Sequence, residues 1–462
     1  MNAASTLAIT DDVYHQVRRH LFPGDDLESA AILFCVKTGT ERTRLIAREA
    51  LLISHSACRR EKDFITWPGS YIEDAIDRAE SEDLALILLH SHPGGLFAFS
   101  SLDDASDRST MPGLFQALGE LHGSAIMTPD GAVLARLYSP DLVPRPVEFV
   151  TCASDDIRYW WADRSSGKRA LAFTSDMARE LSRLTACVIG VSGTGSIVAE
   201  QLARLGFGHV ILIDYDTVEH KNLNRILNST LDDANTHQSK VDSFARSIEL
   251  HRGVGVAIPI DAKIGSRRAV LSAAESDVLF SCTDTHEARH YADRIASAYA
   301  IPLVDVGVSI PTRSDGTQQS IVDVLGRVDY VRPGGPTLRD RGVYSPETLR
   351  AEYLRSTAPD DHRHEVHAGY IKGVQEEAPA VISLNMRAGS FAVMEFLARV
   401  YTIRTDGNHA FARTLFSIAE GDEDHFSEDC FQWTKNSTAI RGSREPLLGL
   451  PELALPRRRL AK

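Results

Sequence analysis

The sequence predicts an α/β protein in which a smaller α/β domain precedes a doubly wound parallel sheet, and three observations favour this fold class. At 462 residues, the chain exceeds the roughly 150 residues typical of one domain. Hydrophobic residues make up 43% and charged residues 24% of it, which is ordinary globular composition. In the second half, short apolar runs alternate with helical segments, as they do where helices connect parallel strands.

The first 140 residues contain short apolar runs that are separated by turn-forming and charged segments, so we predict strands there. The runs are residues 29–36, 45–53 and 84–89. Residues 71–83 place apolar side chains at helical spacing, which predicts an amphipathic helix before the third strand. That strand runs directly into the segment HSHP.

Residues 140–170 are rich in proline and charge, which indicates a boundary between two cores. The strands predicted after it contain TACVIGV, HVILIDYD, VAIPID, DVLFSCTD and IPLVDVGV, and the helices cover 197–205, 240–250, 285–298 and 385–400. Residues 332–378 are expected to form an excursion over the sheet, with His362, His364 and His367 in a solvated loop. The predicted segments are a first domain (1–145), a linker (146–168), a second domain (169–420) and a C-terminal extension (421–462).

Charge and cysteine content restrict the setting and the partners. Acidic residues outnumber basic ones by 63 to 50, and a formal charge of −13 repels phosphate backbones, so no nucleic-acid partner is expected. The six cysteines are scattered and contain no C-x-x-C pair, as in reduced proteins. The N-terminus lacks the pattern of a secretory signal, and the apolar runs are too short to span a bilayer. We expect a cytoplasmic protein without a membrane partner.

The segment HSHPGGLFAFSSLDD concentrates metal-ligating residue types. His90 and His92 alternate along an extended stretch, so both imidazoles project from one side. Asp103 follows a glycine-containing loop and can add a third ligand, which leaves the fourth position of a tetrahedral zinc ion open for water. Glu28, at the start of an apolar strand, is the candidate general base, and the Ser100 hydroxyl is a candidate oxyanion donor. The alternative is a histidine pair on a polar loop followed by a helix cap.

The spacing H-x-H-x7-S-x-x-D, downstream of a strand that begins with a glutamate, resembles the JAMM (JAB/MPN) metalloproteases over about residues 10–140. The resemblance implies zinc held by His90, His92 and Asp103. It also implies that Glu28 is the general base and that Ser100 stabilises the oxyanion, although Glu41 and Glu49 lie in the same sheet region. Members of this family hydrolyse peptide or isopeptide bonds after the C-terminal glycine of ubiquitin-like proteins.

A glycine-rich turn between a strand and a helix opens the second domain. Gly190, Gly193 and Gly195 allow the backbone to approach a phosphate at the helix N-terminus. Asp214 ends the next strand, where it can accept hydrogen bonds from ribose hydroxyls. Because Ser192 stands where the dinucleotide fingerprint has its second glycine, the turn alone does not decide between a dinucleotide and ATP.

Further polar residues favour ATP over a dinucleotide. They follow the glycine-rich turn and are expected at the same edge of the sheet: Asn222, Arg225, Lys240 and Asp284. Adenylation of a carboxylate uses such a set, since cations neutralise the triphosphate and an aspartate holds Mg²⁺. The alternative is a nucleotide-binding fold whose charged residues only form surface salt bridges.

Over about residues 165–420, the sequence resembles the ThiF/MoeB and ubiquitin-activating-enzyme family, whose adenylation domain has a Rossmann-like fold. The family signature N-L-x-R is matched here by NLNR. The contacts that the resemblance implies are adenosine for Gly193 and Asp214, the phosphates for Asn222 and Arg225, the triphosphate for Lys240, and Mg²⁺ for Asp284.

Two departures from this family concern cysteine. The paired C-x-x-C zinc motifs are absent, so no structural metal is expected in this half. The segment RPGGPTLRDRG has Thr337 where relatives often carry a cysteine, and Cys430 lies among acidic residues that disfavour a thiolate. Activation therefore stops at the adenylate, passes to a cysteine of a partner, or uses a hydroxyl such as that of Thr337.

The two halves together predict a bifunctional enzyme of a bacterial ubiquitin-like protein system. A zinc-dependent peptidase would trim or remove a ubiquitin-like protein, and a domain that uses ATP and Mg²⁺ would adenylate its C-terminal glycine. Two alternatives stay open: activation of a sulfur-carrier protein for cofactor biosynthesis, and a scaffold that binds ubiquitin-like proteins without turnover. The resemblance also implies a homodimer, with Arg164 or Arg169 lent across its interface, and a conjugating-enzyme-like protein is a further candidate partner.

Overall fold

A computed structural model of the chain describes residues 5–119, 121–164, 167–314, 319–360, 381–434 and 439–455. These residues divide into two compact units. The first draws on Met1–Arg169, Ala298–Ala300 and Thr438–Leu448, and the second on Ala170–Ser297, Ile301–Ser437 and Gly449–Lys462. The histidines of the predicted excursion, His362, His364 and His367, lie outside the described residues.

Within its described residues, the first unit contains a mixed sheet of nine strands and a separate two-stranded ribbon. The strands are β1 (Ser5–Ile9), β2 (Ala30–Thr38), β3 (Thr43–Leu52), β4 (Arg59–Arg60), β5 (Ile65–Thr66), β6 (Leu84–Ser91), β7 (His122–Met127), β8 (Val133–Tyr138), β9 (Pro144–Pro146), β10 (Phe149–Ala153) and β11 (Ile157–Trp161). The ribbon pairs β4 with β5, and the sheet order is β11-β10-β1-β3-β2-β6-β7-β8-β9. β1 is parallel to β3 and β10, and β6 is parallel to β7.

Three helices cover the two faces of this sheet: α1 (Asp11–Leu21), α2 (Ser70–Glu82) and α3 (Ser101–Leu118). The side chains of the central strand β2 alternate between two buried clusters. Leu33 and Cys35 lie in the cluster with α1, whereas Ile32 and Phe34 lie in the cluster with α2 and α3. Burial on both faces explains why this run is continuously apolar. The helix predicted over 71–83 is confirmed as α2.

The segment predicted as a linker, 146–168, differs from expectation because it contributes two strands to the sheet. β10 pairs in parallel with β1, and β11 pairs antiparallel with β10. All five residues of β10 are buried, and the Trp160 ring of β11 stacks on Tyr14 with centroids 5.5 Å apart. The prolines and charges that suggested a linker flank these short apolar strands, so the first core extends beyond residue 145.

A late segment of the chain, residues 439–448, packs onto the first unit. Ile440 joins the buried cluster that α2 and α3 form with β2. The Ser443 hydroxyl lies 3.0 Å from the Thr38 hydroxyl at the end of β2, and the Arg444 guanidinium donates to the carbonyl of Glu82. The first unit is therefore assembled from parts of the chain that lie far apart in sequence.

The second unit contains, within its described residues, an eight-stranded sheet and another ribbon. The strands are β12 (Thr185–Ile189), β13 (His209–Asp214), β14 (Ala257–Asp261), β15 (Val278–Ser281), β16 (Leu303–Ser309), β17 (Thr312–Ser314), β18 (Gln319–Ile321), β19 (Leu325–Val331), β20 (Arg413–Ser417) and β21 (Glu423–Phe426). The ribbon pairs β17 with β18, and the sheet order is β14-β13-β12-β15-β16-β19-β20-β21. The first five strands in this order are parallel. Since their order is third, second, first, fourth, fifth, the predicted doubly wound sheet is confirmed.

The last three strands of this sheet, β19, β20 and β21, are antiparallel and extend it beyond the predicted part. The helices of the unit are α4 (Ser175–Leu181), α5 (Gly193–Leu205), α6 (Leu231–Asn235), α7 (Lys240–Arg252), α8 (Arg267–Ala274), α9 (His286–Tyr299), α10 (Pro346–Thr357) and α11 (Ile382–Val400). Phe396 of α11 is buried against Phe207 and Phe280, which anchors this long helix to the core. No helix in the described part of the chain is long and apolar enough to cross a membrane.

Candidate functional site

Strand register brings together the residues that the sequence assigns to a metal centre. His90 is near the end of β6 and pairs with Ala30 of the antiparallel strand β2. The N–H of His92 donates to the carbonyl of Met127, 2.8 Å away, at the end of the parallel strand β7. Ser100 is the N-cap of α3, whose first turn carries Asp103. Two strand ends and one helix start therefore meet at this edge of the sheet.

The side chains of His90, His92 and Asp103 approach one another in pairs at 3.0–3.5 Å, and each carboxylate oxygen of Asp103 faces one imidazole. The Nε2 atoms of His90 and His92 are 3.1 Å apart. Asp103 Oδ1 lies 3.0 Å from His90 Nε2, and Asp103 Oδ2 lies 3.5 Å from His92 Nε2. Tetrahedral zinc with ligand distances of about 2.0–2.1 Å requires donor atoms about 3.3 Å apart. The spacings between these side chains are therefore close to those between zinc ligands.

Further hydrogen bonds orient these ligands. Nδ1–H of His92 donates to the carbonyl of Leu96, 2.9 Å away, which leaves Nε2 of this tautomer free to bind a metal. Asp103 Oδ2 accepts from the backbone N–H of Ser100 at 2.6 Å. Burial alone would raise the pKa of Asp103, but the imidazoles of His90 and His92 beside it hold that pKa well below its usual range. The carboxylate is therefore ionised, as a metal ligand must be.

Glu28 lies beside the two histidines. Ser91 N–H donates to the carbonyl of Ser29, and this register places Glu28 across from His92. Ligand atoms of Glu28, His90 and His92 lie within 4.8 Å of one another. Burial raises the pKa of Glu28 to about 7, against the opposing effect of His92. A carboxylate with this pKa is suited to exchange protons at neutral pH.

The two other glutamates of this sheet region are placed differently. Glu41 is exposed in the turn between β2 and β3. Glu49 accepts two hydrogen bonds from the Arg78 guanidinium, which holds the pKa of this carboxyl below its usual value. Neither belongs to the described group of convergent metal-ligating side chains.

Arg60 holds the segment that carries Glu28, and it lies outside the motifs from which the site was predicted. Its Nε donates to the carbonyl of Glu28 at 2.7 Å, and its NH2 group donates to the Ser29 hydroxyl at 2.7 Å. Asp25 accepts from the same guanidinium, and the Glu28 N–H donates to the carbonyl of Glu61 at 2.9 Å. The ribbon of β4 and β5 is thereby joined to the segment of Glu28.

Ser100 is a helix cap as well as a neighbour of the metal ligands. Its hydroxyl oxygen accepts from the Asp103 N–H at 3.2 Å, in a capping box. The cap that the sequence offered as an alternative is therefore present together with the metal-site geometry. A hydroxyl that accepts a hydrogen bond retains its own O–H as a donor.

The glycine-rich turn of the second unit is closely packed. Gly190 has φ +86°, and a Cβ there would lie 2.9 Å from the carbonyl oxygen of Cys282 on the neighbouring strand segment. A Cβ on Gly195 would lie 1.7 Å from the carbonyl oxygen of Gly190. Gly193 is the first residue of α5, and a Cβ there would lie 2.2 Å from Nδ2 of Asn385. Side chains at these positions would prevent close approach of the backbone.

Asp214 and Lys240 are held next to this turn. Asp214 is buried at the end of β13, where Oδ2 accepts from Val191 N–H at 2.7 Å and Oδ1 accepts from Asp216 N–H at 2.9 Å. Burial raises the pKa of Asp214, and Lys240 partly opposes this effect. The Lys240 ammonium lies 2.8 Å from Asp216 Oδ2. Asp216 is a residue that the sequence analysis does not identify.

The other residues predicted to contact the nucleotide differ in burial and in how far local contacts occupy their side chains. Asn222 is buried, and its Oδ1 accepts from the Glu219 N–H at 3.0 Å, so half of its amide is used locally. Arg225 is partly exposed, and its Cδ lies 3.3 Å from where a Cβ of Gly193 would be. Asp284 is exposed beyond the end of β15, which neighbours β12.

Two residues outside the predicted set lie at the same edge of the sheet. Asn385 of α11 is buried against Gly193 and Arg225. Glu352 of α10 accepts from the N–H groups of His286 (2.8 Å) and Glu287 (2.9 Å) at the start of α9. Both belong to helices far along the chain and outside any motif, so no local signal identifies them.

The candidate acyl acceptors and interface arginines make local contacts. The Thr337 hydroxyl donates to Asp340 at 2.9 Å in a turn, whereas Cys430 is exposed and 3.7 Å from the Ser427 hydroxyl. Arg164 donates to the carbonyl of Lys168 at 3.2 Å, and Arg169 lies 3.1 Å from Asp156. Their proposed roles stay predictions.

Two family models match the chain. Residues 167–428 match the ThiF family, and residues 10–138 match the prokaryotic homologs of the JAB domain. The resemblance of both halves to known families is thereby confirmed.

Curated relatives match a shorter stretch. Ubiquitin-like modifier-activating enzyme 5 from Caenorhabditis briggsae is 32% identical over 162 residues, which are 32% of this chain and 34% of that protein. The enzyme of the same name from Bombyx mori is 33% identical over 167 residues, covering 32% of this chain and 37% of the relative. This chain thus spans about a third of the length of these relatives.

Among solved structures, Escherichia coli MccB with ATP has a TM-score of 0.41 at 14% identity, covering 58% of this chain and 68% of that chain. SeMet PaaA has a TM-score of 0.37 at 19% identity and covers 55% of this chain and 75% of that chain.

Proposed function

Because this chain belongs to the ThiF family and carries a prokaryotic JAB-type domain before it, we propose that it is a bifunctional enzyme of a bacterial ubiquitin-like protein system. The first unit hydrolyses a peptide or isopeptide bond that follows the C-terminal glycine of a ubiquitin-like protein. The second unit adenylates the glycine carboxylate with ATP. Cleavage thus produces the group that adenylation consumes.

One observation carries the hydrolase half of this proposal, namely the convergence of His90, His92 and Asp103 with the buried Glu28 beside them. The spacings between these three side chains are close to those between zinc ligands, and burial raises the pKa of Glu28 to about 7. A histidine pair on an ordinary polar loop has no reason to meet the buried carboxylate of Glu28 and the partly buried carboxylate of Asp103.

Each of these side chains has its own role in the proposed hydrolysis. Zinc held by His90, His92 and Asp103 would supply Lewis acidity and make a water molecule acidic enough to ionise near neutral pH. Glu28 takes a proton from the attacking water and returns it to the leaving amine, which its position and pKa favour. The Ser100 O–H donates to the oxygen of the scissile carbonyl as negative charge develops there.

Adenylation uses the carboxyl edge of the parallel strands. An oxygen of the substrate carboxylate attacks the α-phosphorus of ATP, the bond between the α- and β-phosphates breaks, and pyrophosphate leaves. The glycine-rich turn and the start of α5 hold phosphate, and Asp214 accepts from the ribose. Asn222, Arg225 and Lys240 balance the phosphate charge, and Asp284 would hold Mg²⁺.

The test uses the full chain and a ubiquitin-like protein in two forms. With a short peptide after its C-terminal glycine, the substrate should be cleaved by zinc-loaded protein but not after zinc is removed by a chelator. With a free C-terminal glycine, it should support exchange of labelled pyrophosphate into ATP. Intact mass of the product gives a third readout.

Each outcome bears on one part of the proposal. Absence of both zinc and pyrophosphate exchange would leave a binding scaffold as the better interpretation. Conversion of the substrate to a thiocarboxylate in the presence of a sulfur donor would assign the second unit to sulfur-carrier activation and contradict conjugation.

A further inference from the structure

The first turn of α3 carries two residues of the candidate hydrolase site, and one of them, Asp103, contacts the imidazole of His90 on β6. Ser100 and Asp103 hydrogen-bond to each other in the capping box. A side chain from β8, that of Arg136, also holds this turn against the sheet. The residue Arg136 is 6% exposed.

Arg136 binds two carboxylates on successive turns of α3. Its NH1 group donates to Asp104 Oδ1 at 2.5 Å, and its Nε and NH2 groups donate to Asp107 Oδ2 at 3.1 and 2.7 Å. Asp104 directly follows the metal ligand Asp103. The guanidinium carbon also lies 3.8 Å from the ring centroid of Phe99, the residue before Ser100. Arg136 thus contacts both chain neighbours of the segment from Ser100 to Asp103.

Asp107 makes this contact rigid. Its Oδ2 also accepts from the Ser124 hydroxyl and, at 2.8 Å, from the Tyr138 hydroxyl, so β7, β8 and α3 share one buried carboxylate oxygen. Burial would lower the pKa of Arg136, but Asp104 and Asp107 outweigh it and raise the pKa. The guanidinium is therefore a fixed cation with its donors aimed along α3.

Stability alone is a weak reason for such a network. Buried ion pairs recover little more than their desolvation cost, and apolar residues of similar volume often stabilise a core as well or better. A planar guanidinium, in contrast, fixes direction, because its donors form a rigid fork and its face stacks on an aromatic ring.

We propose that Arg136 is a positioning residue that holds the turn from Ser100 to Asp103 in its metal-binding geometry, by fixing Phe99 on one side and Asp104 on the other. This inference rests on the proposed zinc site, and it assigns part of that site's affinity to a residue with no contact to the metal. Loss of an outer partner of a metal ligand typically lowers metal affinity about 10- to 100-fold.

The test measures metal binding on the full chain, without using hydrolysis as its readout. Co²⁺ replaces zinc, and its visible absorption reports the ligand geometry while competition with a chelator gives affinity. Arg136→Lys keeps the charge but loses the fork, and Asp104→Ala removes only the contact to the first turn at a half-exposed position. Alanine is chosen there because the amide oxygen of an asparagine could still accept from Arg136. Both variants should lose about tenfold or more in Co²⁺ affinity and change the absorption band.

Arg78→Lys is the matched control. Arg78 is also an arginine that pairs with a carboxylate, Glu49, and lies 4.5 Å from the centroid of a phenylalanine ring, Phe34, but it contacts no residue of the turn. Its Co²⁺ affinity and spectrum should equal those of the wild type. Equal losses in Arg78→Lys, or unchanged affinity in both test variants, would overturn the positioning role. A wild-type protein that binds neither Co²⁺ nor zinc would overturn the proposed hydrolase as well, so the two failures are distinguishable.

Discussion

Glu28 is the residue on which the proposed catalytic role of the first unit depends. Metal ligands need only converge, whereas a proton-transfer group must lie close to them without taking a coordination position. Glu28 lies close to them at the mouth of β2, 6% exposed and across from His92, with ligand atoms of Glu28, His90 and His92 within 4.8 Å of one another. Arg60 holds its backbone carbonyl, so the carboxylate is presented from a fixed main chain.

We predict that Glu28→Gln abolishes peptide cleavage while zinc stays bound. The amide has the same shape but cannot take up a proton, and loss of a general base costs roughly 10²- to 10⁴-fold in rate. Single-turnover cleavage and zinc content measured on the same sample check this. Glu49→Gln, which alters a carboxylate held by Arg78, should cleave at the wild-type rate. Near-normal cleavage by Glu28→Gln would assign the base elsewhere.

The sequence predicts the residues of this site only where they lie close together in the chain. His90 and His92 follow from alternation along one strand, and Ser100 and Asp103 from a cap-like spacing. Arg60 and Arg136, in contrast, reach the site through the ribbon of β4 and β5 and through β8. Their contacts depend on strand order and register, which residue types alone do not specify. They could not have been predicted without the structure.

At the scale of elements, the turn from β12 into α5 leaves the least room for change. A Cβ on Gly195 would lie 1.7 Å from a backbone oxygen, and backbone cannot move away as a flexible side chain can. Gly113, inside α3, is the opposite case, because nothing lies within 4 Å of its Cβ position.

We expect Gly195→Ala to reduce ATP–pyrophosphate exchange at least tenfold and to lower the free energy of unfolding by about 1–3 kcal/mol, since the turn must deform. Gly113→Ala should leave exchange unchanged and stabilise the protein by about 0.5–1 kcal/mol, because alanine is favoured over glycine inside a helix. Exchange assays and urea unfolding measure both. Wild-type exchange in Gly195→Ala would mean that phosphate is not bound at this turn.

The elements themselves were predictable to different extents. Five parallel strands follow from apolar runs alternating with helices, whereas β19 and β20 are antiparallel and carry the charged residues Arg327, Asp329 and Arg413. Strand direction depends on how the chain returns to the sheet. The residue pattern of a strand does not indicate whether it pairs in parallel or antiparallel. β10 and β11 were missed for another reason, since five-residue strands between prolines and charges resemble a linker.

For the whole molecule, the central expectation is that the two activities are separable. His92→Ala should abolish cleavage and leave ATP–pyrophosphate exchange intact, because it removes a metal ligand in the first unit. Asp284→Ala should abolish exchange and leave cleavage intact, because it removes the carboxylate proposed to hold Mg²⁺. Both assays on both variants check this. If either substitution stopped both reactions, the two sites would not be independent.

The packing of residues 439–448 on the first unit also orders events during synthesis. Residues 5–169 of that unit leave the ribosome early, but the segment that covers the end of β2 follows about 270 residues later. At roughly 5–20 residues per second, translation needs about 14–54 s to supply it. During that interval the nascent first unit exists without its last segment, while the sheet of the second unit is being synthesised.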